Sequence, residues 1–385
     1  MIRILCITGT RADYGIYRPL LLAMQQDASI DLHIVATGMH VLQEYGHTVK
    51  AIEQDGLAIL SRPLTIMQGD ALAGMSKSLA LCLLHFADLF ADQAPDLILV
   101  LGDRGEMLAA AIAAHYQNIG IVHLHGGEKS GSADDGVRQA ISAFAHLHYV
   151  SSLEARHRLV QLGEEEWRIF PIGSLRKKDL HEVRQMPAQR KAELVEQYGL
   201  QGDQKKMLLV MHPDSKDSTA FAAQITPVLA ALRQLEEARQ GSIICIGANS
   251  DAGGRQFNRE LMAYVREHPR ARYYPSIPAH DYLFLLSAVD VLIGNSSSGI
   301  IEAPFFQLPF VHIGHRQRNR TRGDNVIDCE ADADAIQQAI RKALSLSMRD
   351  SESHNPYDLT GSPENVMLAS LKQMIHHPQL RMKQM

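Results

Sequence analysis

The chain opens with an apolar run, IRILCIT, then a polar turn and a stretch of helical spacing that starts at Arg11. The same alternation recurs: DLHIVATG, DLILVLG, GIVHLHG and HLHYVS read as strands, with helices starting near Asp70, Arg104 and Asp134 between them. These strands are near-continuously apolar rather than alternating, which is the pattern of a parallel sheet covered by helices on both faces. From about Arg176 to Lys206 the chain turns to Lys, Arg, Glu and Gln without β signals, predicting a boundary and a connecting helix. The alternation resumes with MLLVMHP, SIICIGAN, ARYYPSI, VDVLIGN and PFVHIG. Two such halves predict an α/β protein of two Rossmann-like, doubly wound domains facing a cleft. The first covers 1–175 and the second 176–362, with a last helix at 363–380 crossing back to complete the first.

Composition narrows the class. A length of 385 residues exceeds one ordinary core, and 46% hydrophobic with 21% charged residues is a globular balance. No run reaches the roughly 18 apolar residues of a membrane span. The N-terminus lacks a basic region followed by an apolar core and cleavage site. Both points predict a cytoplasmic protein with no membrane partner. A net charge of -5 gives no general attraction for nucleic acid. Cys6, Cys82, Cys245 and Cys329 lie far apart, mostly in apolar runs, as buried free thiols would.

The chemistry sits after the strands, where α/β sheets present their ligand surface. TGTRADYG places Arg11 at a helix start, LILVLG is followed by Asp103 and Arg104, and IVHLHGG by Glu128 and then Asp135 and Arg138. LLVM leads to His212, and VLIG to NSSSGIIE with Ser296, Ser297, Ser298 and Glu302. Each alone reads equally well as a polar loop or helix cap. Together they form a candidate site. The serine turn offers hydroxyls and backbone N–H groups to a phosphate, and Glu302, four residues beyond Ser298, offers two acceptors to a ribose diol. Of Arg316, Arg318, Arg320 and Arg322, one or two are placed to neutralise a diphosphate. Clustered carboxyls at Asp103, Glu128 and Asp135 suit acid–base work, and Arg138 lies three residues after Asp135 to pair with it. The competing reading of Asp103 is a helix cap or an ion pair with Arg104. His123 and His125, then His146 and His148, alternate on predicted strands as a metal pair would, but without a third ligand of suitable spacing they read as structural. No metal and no cofactor are expected.

Taken jointly, TGTRADYG, ATGMH, EYGHT, LGDRGE, HGGE, the DD and Arg of DDGVR, HP, IGNSSSGIIE and RGDNVID resemble, in order, the hydrolysing UDP-N-acetylglucosamine 2-epimerases of sialic- and legionaminic-acid synthesis. The resemblance implies a GT-B-like fold, with UDP mainly on the second domain and the sugar facing the first. It puts Arg11, Ser296, Ser297, Glu302 and Arg322 on nucleotide-binding positions, and Asp103, Glu128 and Asp135 on the acid–base carboxylates. His212 falls on a position that contacts the diphosphate and assists its departure. Arg104, Arg138 and Ser298 complete the candidate substrate contacts. The implied reaction eliminates UDP to a 2-acetamidoglucal and adds water to give N-acetylmannosamine. The same chemistry on UDP-N,N'-diacetylbacillosamine stays open, and GSLRKKD at Gly173–Asp179 is more basic than relatives are there. A GT-B glycosyltransferase or an inactive nucleotide-sugar binder is the alternative of another class. A UDP-sugar is the expected partner, in a homodimer or homotetramer.

Overall fold

The computed structural model describes residues 1–67, 72–237, 241–346 and 354–383. The chain divides into two compact units. The first comprises Met1–Lys129, Ala133–Lys178 and Pro356–Met385, the second Ser130–Ser132 and Asp179–Asn355.

In the first unit, β1 (Ile2–Thr8), β2 (Ile30–Ala36), β3 (Ile59–Ser61), β4 (Leu97–Leu101), β5 (Gly120–Leu124), β6 (Leu147–Val150) and β7 (Ile169–Pro171) form one sheet. The order is β3-β2-β1-β4-β5-β6-β7, with every neighbouring pair parallel. The helices α1 (Arg11–Gln25), α2 (Val49–Gln54), α3 (Leu72–Gln93), α4 (Gly105–Tyr116), α5 (Asp134–Phe144) and α6 (Leu153–Gln161) lie between the strands in sequence. The expected helix start near Asp70 falls outside the described residues. The apolar runs have a direct cause. Ile4, Cys6, Leu97 and Leu99 point into one core layer, while Leu5, Ile7, Ile98 and Val100 point into the other. With both faces buried, residues 4–7 of β1 and all of β4 are apolar, and each full burial contributes about 1.5–3 kcal/mol.

Helix α3 is long and apolar enough, by length and composition, to cross a membrane, a feature that counting uninterrupted apolar runs misses. It packs along α4 and buries Cys82, Phe86 and Phe90. The expected single connecting helix is two, α7 (Lys177–Arg184) and α8 (Ala188–Tyr198), broken where Pro187 caps the second.

The second unit holds β8 (Lys206–Val210), β9 (Ser242–Ile246), β10 (Ala271–Tyr274), β11 (Val291–Gly294), β12 (Phe310–Ile313) and β13 (Val326–Cys329) in the parallel order β10-β9-β8-β11-β12-β13. Its helices are α9 (Phe221–Glu237), α10 (Gly254–Glu267), α11 (Ala279–Ala288), the one-turn α12 (Ser298–Ile301) and α13 (Ala333–Ser345). Helix α14 (Pro363–Met374) belongs to the first unit and packs on α1, where Met367 and Leu371 are buried.

Arg168 binds the backbone of the residues after α14, and Lys383 in that segment bonds Ser142, Ala143, Ala145 and Glu164 in turn. Arg168 is 0% exposed. Its Nε donates to Glu165 (2.6 Å), one terminal nitrogen to the carbonyls of His146 (3.1 Å) and Leu380 (2.7 Å), and the other to those of Gln379 (2.9 Å) and Met382 (3.1 Å). All five N–H donors of the guanidinium are thus used, which makes its burial tolerable. Lysine, with three donors, would strand at least two of these acceptors at about 1–3 kcal/mol each. We therefore expect Arg168→Lys to lower unfolding free energy by at least about 2 kcal/mol in urea titrations; a change below about 0.5 kcal/mol would show that this cradle is not what holds the segment.

Candidate active site

In the first unit the strand order reverses at β1, which pairs with β2 on one side and β4 on the other. The loops after β1 and β4 therefore leave the sheet side by side, at the place where open α/β sheets take ligands. The β1 loop is fixed by Asp13. Its carboxylate accepts the N–H groups of Gly9 (2.8 Å) and Thr10 (2.7 Å), and its own N–H donates to the Thr10 hydroxyl (3.2 Å). Burial pushes the Asp13 carboxyl up despite these bonds. This capping box sets half-buried Arg11 as the first helical residue of α1.

Arg138 gathers the carboxylate residues. Its side chain, 3% exposed, donates to the Asp103 carboxylate, to Asp135 one turn back (2.8 Å) and to the backbone carbonyl of Glu128 (3.0 Å). Asp103 comes from the end of β4, Glu128 from the turn after β5, and Asp135 from the first turn of α5. Asp103 is thus paired with Arg138, not Arg104; Arg104 turns to Glu106 (2.6 Å). The Glu128 carboxylate has a different partner, the hydroxyl of Ser151 after β6. Gly127 makes that turn possible: its φ is +73°, and a Cβ there would stand 2.3 Å from the carbonyl oxygen of Ala155.

In the second unit the reversal falls at β8, between β9 and β11. His212 follows β8 and the serine loop follows β11. Gly294 has φ +131°, and a Cβ there would lie 2.0 Å from the Val210 carbonyl oxygen, so glycine lets the two strand ends meet. Asn295, buried just beyond, bonds both backbone groups of His212. Ser296 accepts the N–H of Ser298 (3.4 Å), and the Ser298 hydroxyl meets that of Tyr282 on α11. The helix expected to run from the serines through Glu302 is only one turn. The amides of Gly299, Ile300, Ile301 and Glu302 close on the carbonyls of Ser296, Ser297 and Ser298, and Glu302 caps the turn at 7% exposure. A four-residue helix has little dipole, so hydroxyls are the main donors this loop offers.

Among the loop arginines the structure separates roles that the sequence leaves together. Arg316 reaches the backbone carbonyl of Asn295 (3.4 Å) and so lies beside the serines. Arg322 bonds both oxygens of Asp328 (2.9 and 2.7 Å), which also contacts His312 (2.7 Å). Burial alone raises the Asp328 carboxyl, but these partners outweigh it and hold it below its usual range.

His123 and His148 are engaged in hydrogen bonds. His123 Nε2 meets the Gly102 carbonyl (2.8 Å), which needs an N–H, and Nδ1 meets the Ser142 hydroxyl (3.0 Å). It thereby holds the residue that precedes Asp103. His125 lies beyond the end of β5, with φ +60°, and does not continue the strand alternation with His123. His148 binds Glu164 (3.1 Å). A grouping the sequence spacing did not signal is Asp179, Glu182 and His280, whose ligand atoms lie within 4.8 Å of one another. There His280 Nε2 is 3.2 Å from Asp179 and 3.6 Å from Glu182.

Two Rossmann-like domains with serine- and carboxylate-bearing loops at their strand ends define a GT-B-like fold. Residues 22–369 match the family described as UDP-N-acetylglucosamine 2-epimerase, and the chain belongs to that family. It is 40% identical, over 89% of each chain, to the UDP-N,N'-diacetylbacillosamine 2-epimerase (hydrolyzing) of Legionella pneumophila. It is 35% identical to the GDP/UDP-N,N'-diacetylbacillosamine 2-epimerase (hydrolyzing) of Campylobacter jejuni, over 89% of this chain and 88% of that one. Its fold is similar to that of the Methanocaldococcus jannaschii UDP-GlcNAc 2-epimerase solved with UDP-GlcNAc and UDP, with a TM-score of 0.81 at 17% identity over 97% of this chain and all (100%) of that one.

Burial lowers the pKa of His40 and His146 to about 4 and of His123 to about 3. These rings are neutral when folded and take up protons on unfolding below about 6.5. Their contribution to stability is therefore complete above about pH 6.5 and is lost as pH falls toward 4. Each adds a slope of up to ~1.4 kcal/mol per pH unit in that window. Urea unfolding at pH 7, 6 and 5 should show this decline, reduced in His123→Gln; a flat profile in both proteins would contradict the neutral assignment.

Proposed function

We propose that the chain is a hydrolysing UDP-sugar 2-epimerase acting on a 2-acetamido sugar. The observation that carries the reading is the gathering of Asp103, Asp135 and the Glu128 backbone on Arg138. A nucleotide-sugar binder or a glycosyltransferase has no need of three carboxylate residues at one sheet end. An enzyme that removes and replaces a proton on opposite faces of one carbon does.

The hydrogen on carbon 2 of the sugar is barely acidic, because no carbonyl adjoins that carbon in the ring. A carboxylate takes it while the bond from carbon 1 to the diphosphate oxygen breaks and its electron pair leaves with UDP. The product is a 2-acetamidoglucal with a double bond between carbons 1 and 2. Water then adds its hydroxyl to carbon 1, and a second carboxyl protonates carbon 2 from the opposite face. The sum is UDP-sugar plus water giving UDP and the free 2-epimer. Paired and hydroxyl-bonded carboxyls supply the unlike environments that base and acid require. In the second unit, Ser296, Ser297 and Ser298 take the diphosphate, Glu302 the ribose hydroxyls, and Arg316, beside the serines, balances the leaving charge. Arg11 and Arg104 of the first unit are the further candidate substrate contacts. Arg322, already committed to Asp328, is a weaker choice than Arg316. The activity belongs in the cytoplasm, where UDP-sugars are made.

The likeness to the Legionella enzyme favours UDP-N,N'-diacetylbacillosamine as substrate. The family description favours UDP-N-acetylglucosamine as the second reading. Both sugars should be incubated in deuterated water and followed by NMR. Free UDP with deuterium at carbon 2 of the released 2-epimer is expected; UDP release without deuterium would exclude the elimination. Turnover of one sugar alone decides the substrate. Asp103→Asn and Glu128→Gln should each lower kcat at least about 100-fold with UDP binding retained. Glu302→Ala should weaken UDP binding about 10–100-fold, as loss of charge-assisted hydrogen bonds to a diol implies.

A further inference from the structure

His212 is held from both sides of its strand. The β8–β11 ladder ends at Val210 and Gly294. Asn295, 3% exposed, continues it with a side chain: its Oδ1 accepts the His212 N–H at 2.8 Å, and its Nδ2 donates to the His212 carbonyl at 2.8 Å. The amide can point only this way, since an N–H needs an acceptor and a carbonyl a donor. From the other neighbour, the loop after β9, the backbone N–H of Asn249 donates to His212 Nδ1 at 3.3 Å. A backbone N–H cannot accept, so Nδ1 carries a lone pair and the hydrogen of the neutral ring sits on Nε2.

We infer that Asn295 is a positioning residue of the reaction, and that with the Asn249 amide it presents His212 as a neutral Nε2–H hydrogen-bond donor to the departing diphosphate. The assignment of the diphosphate rests on the proposed function; the held tautomer does not. On this inference His212 stabilises the oxygen that receives the electron pair of the broken bond without giving up its proton. Protonating the ring instead would place an N–H at Nδ1 against the N–H of Asn249.

Two measurements test this. Long-range proton–nitrogen NMR of histidine-labelled protein, with His212 identified by its absence in His212→Gln, should show Nδ1 unprotonated and Nε2 protonated, with and without UDP. A protonated Nδ1 would overturn the inference. In turnover, glutamine places an amide N–H near the Nε2 position whereas asparagine does not. His212→Gln should therefore stay within about tenfold of wild-type kcat, while His212→Asn falls about 100-fold or more, the usual cost of one lost transition-state donor. Equal loss in both, with UDP binding kept, would mean that a proton is transferred and would refute the donor role. Asn295→Asp keeps the shape but loses the donor to the His212 carbonyl. It should lower kcat at least about tenfold with KM within about threefold, and its spectrum should show a mixed tautomer; unchanged kcat and tautomer would refute the positioning role. A wild-type protein that turns over neither sugar refutes the functional reading alone, and the tautomer measurement still decides this one.

Discussion

Both units depend on a single constraint of parallel sheets. Neighbouring strands running the same way must be joined by crossovers, and where the strand order reverses the crossovers leave in opposite directions. The loops there are not roofed by a helix, so their backbone groups must find other partners. At β1 and β4 these come from Asp13, which takes two amides of the first loop, and from His123, which takes the Gly102 carbonyl. At β8 and β11 they come from Asn295. The side chains that order the two candidate ligand loops are thus the ones that meet the backbone's own demand for hydrogen bonds.

The two sites manage charge differently. In the first unit a nearly buried guanidinium is divided among two carboxylates and a carbonyl, so no member can be altered without stranding another. In the second unit the serine loop is lined by hydroxyls, and Arg316 reaches the carbonyl at the loop's start. One arrangement fixes its carboxyl groups within narrow limits. The other presents neutral hydroxyls.

Much of this was legible in the sequence because burial on two faces writes an unmistakable apolar run. The strands without that signature, β3, β7 and β13, are three or four residues long and half exposed, so they read as loop. The Asp–Arg spacing on α5 announced the pairing of Asp135 with Arg138, but nothing in the spacing showed that Asp103, 35 residues earlier, shares the same guanidinium. Asn295 and Tyr282 escaped for opposite reasons. An asparagine before serines looks like a turn former, and a tyrosine in an apolar helix looks like core. Arg316 was one of four in a run, and only contact with the Asn295 carbonyl distinguishes it.

The route of the chain has a consequence for its synthesis. The first unit takes its opening strands from the start of the chain and its closing helix, with the segment cradled by Arg168, from residues past Pro356. Everything belonging to the second unit is translated in between. All residues of the second unit therefore precede the helix that covers the flank of α1 and the segment that supplies three of the five acceptors of Arg168. The carboxylate-bearing unit, begun first in the chain, is the last to receive all of its residues.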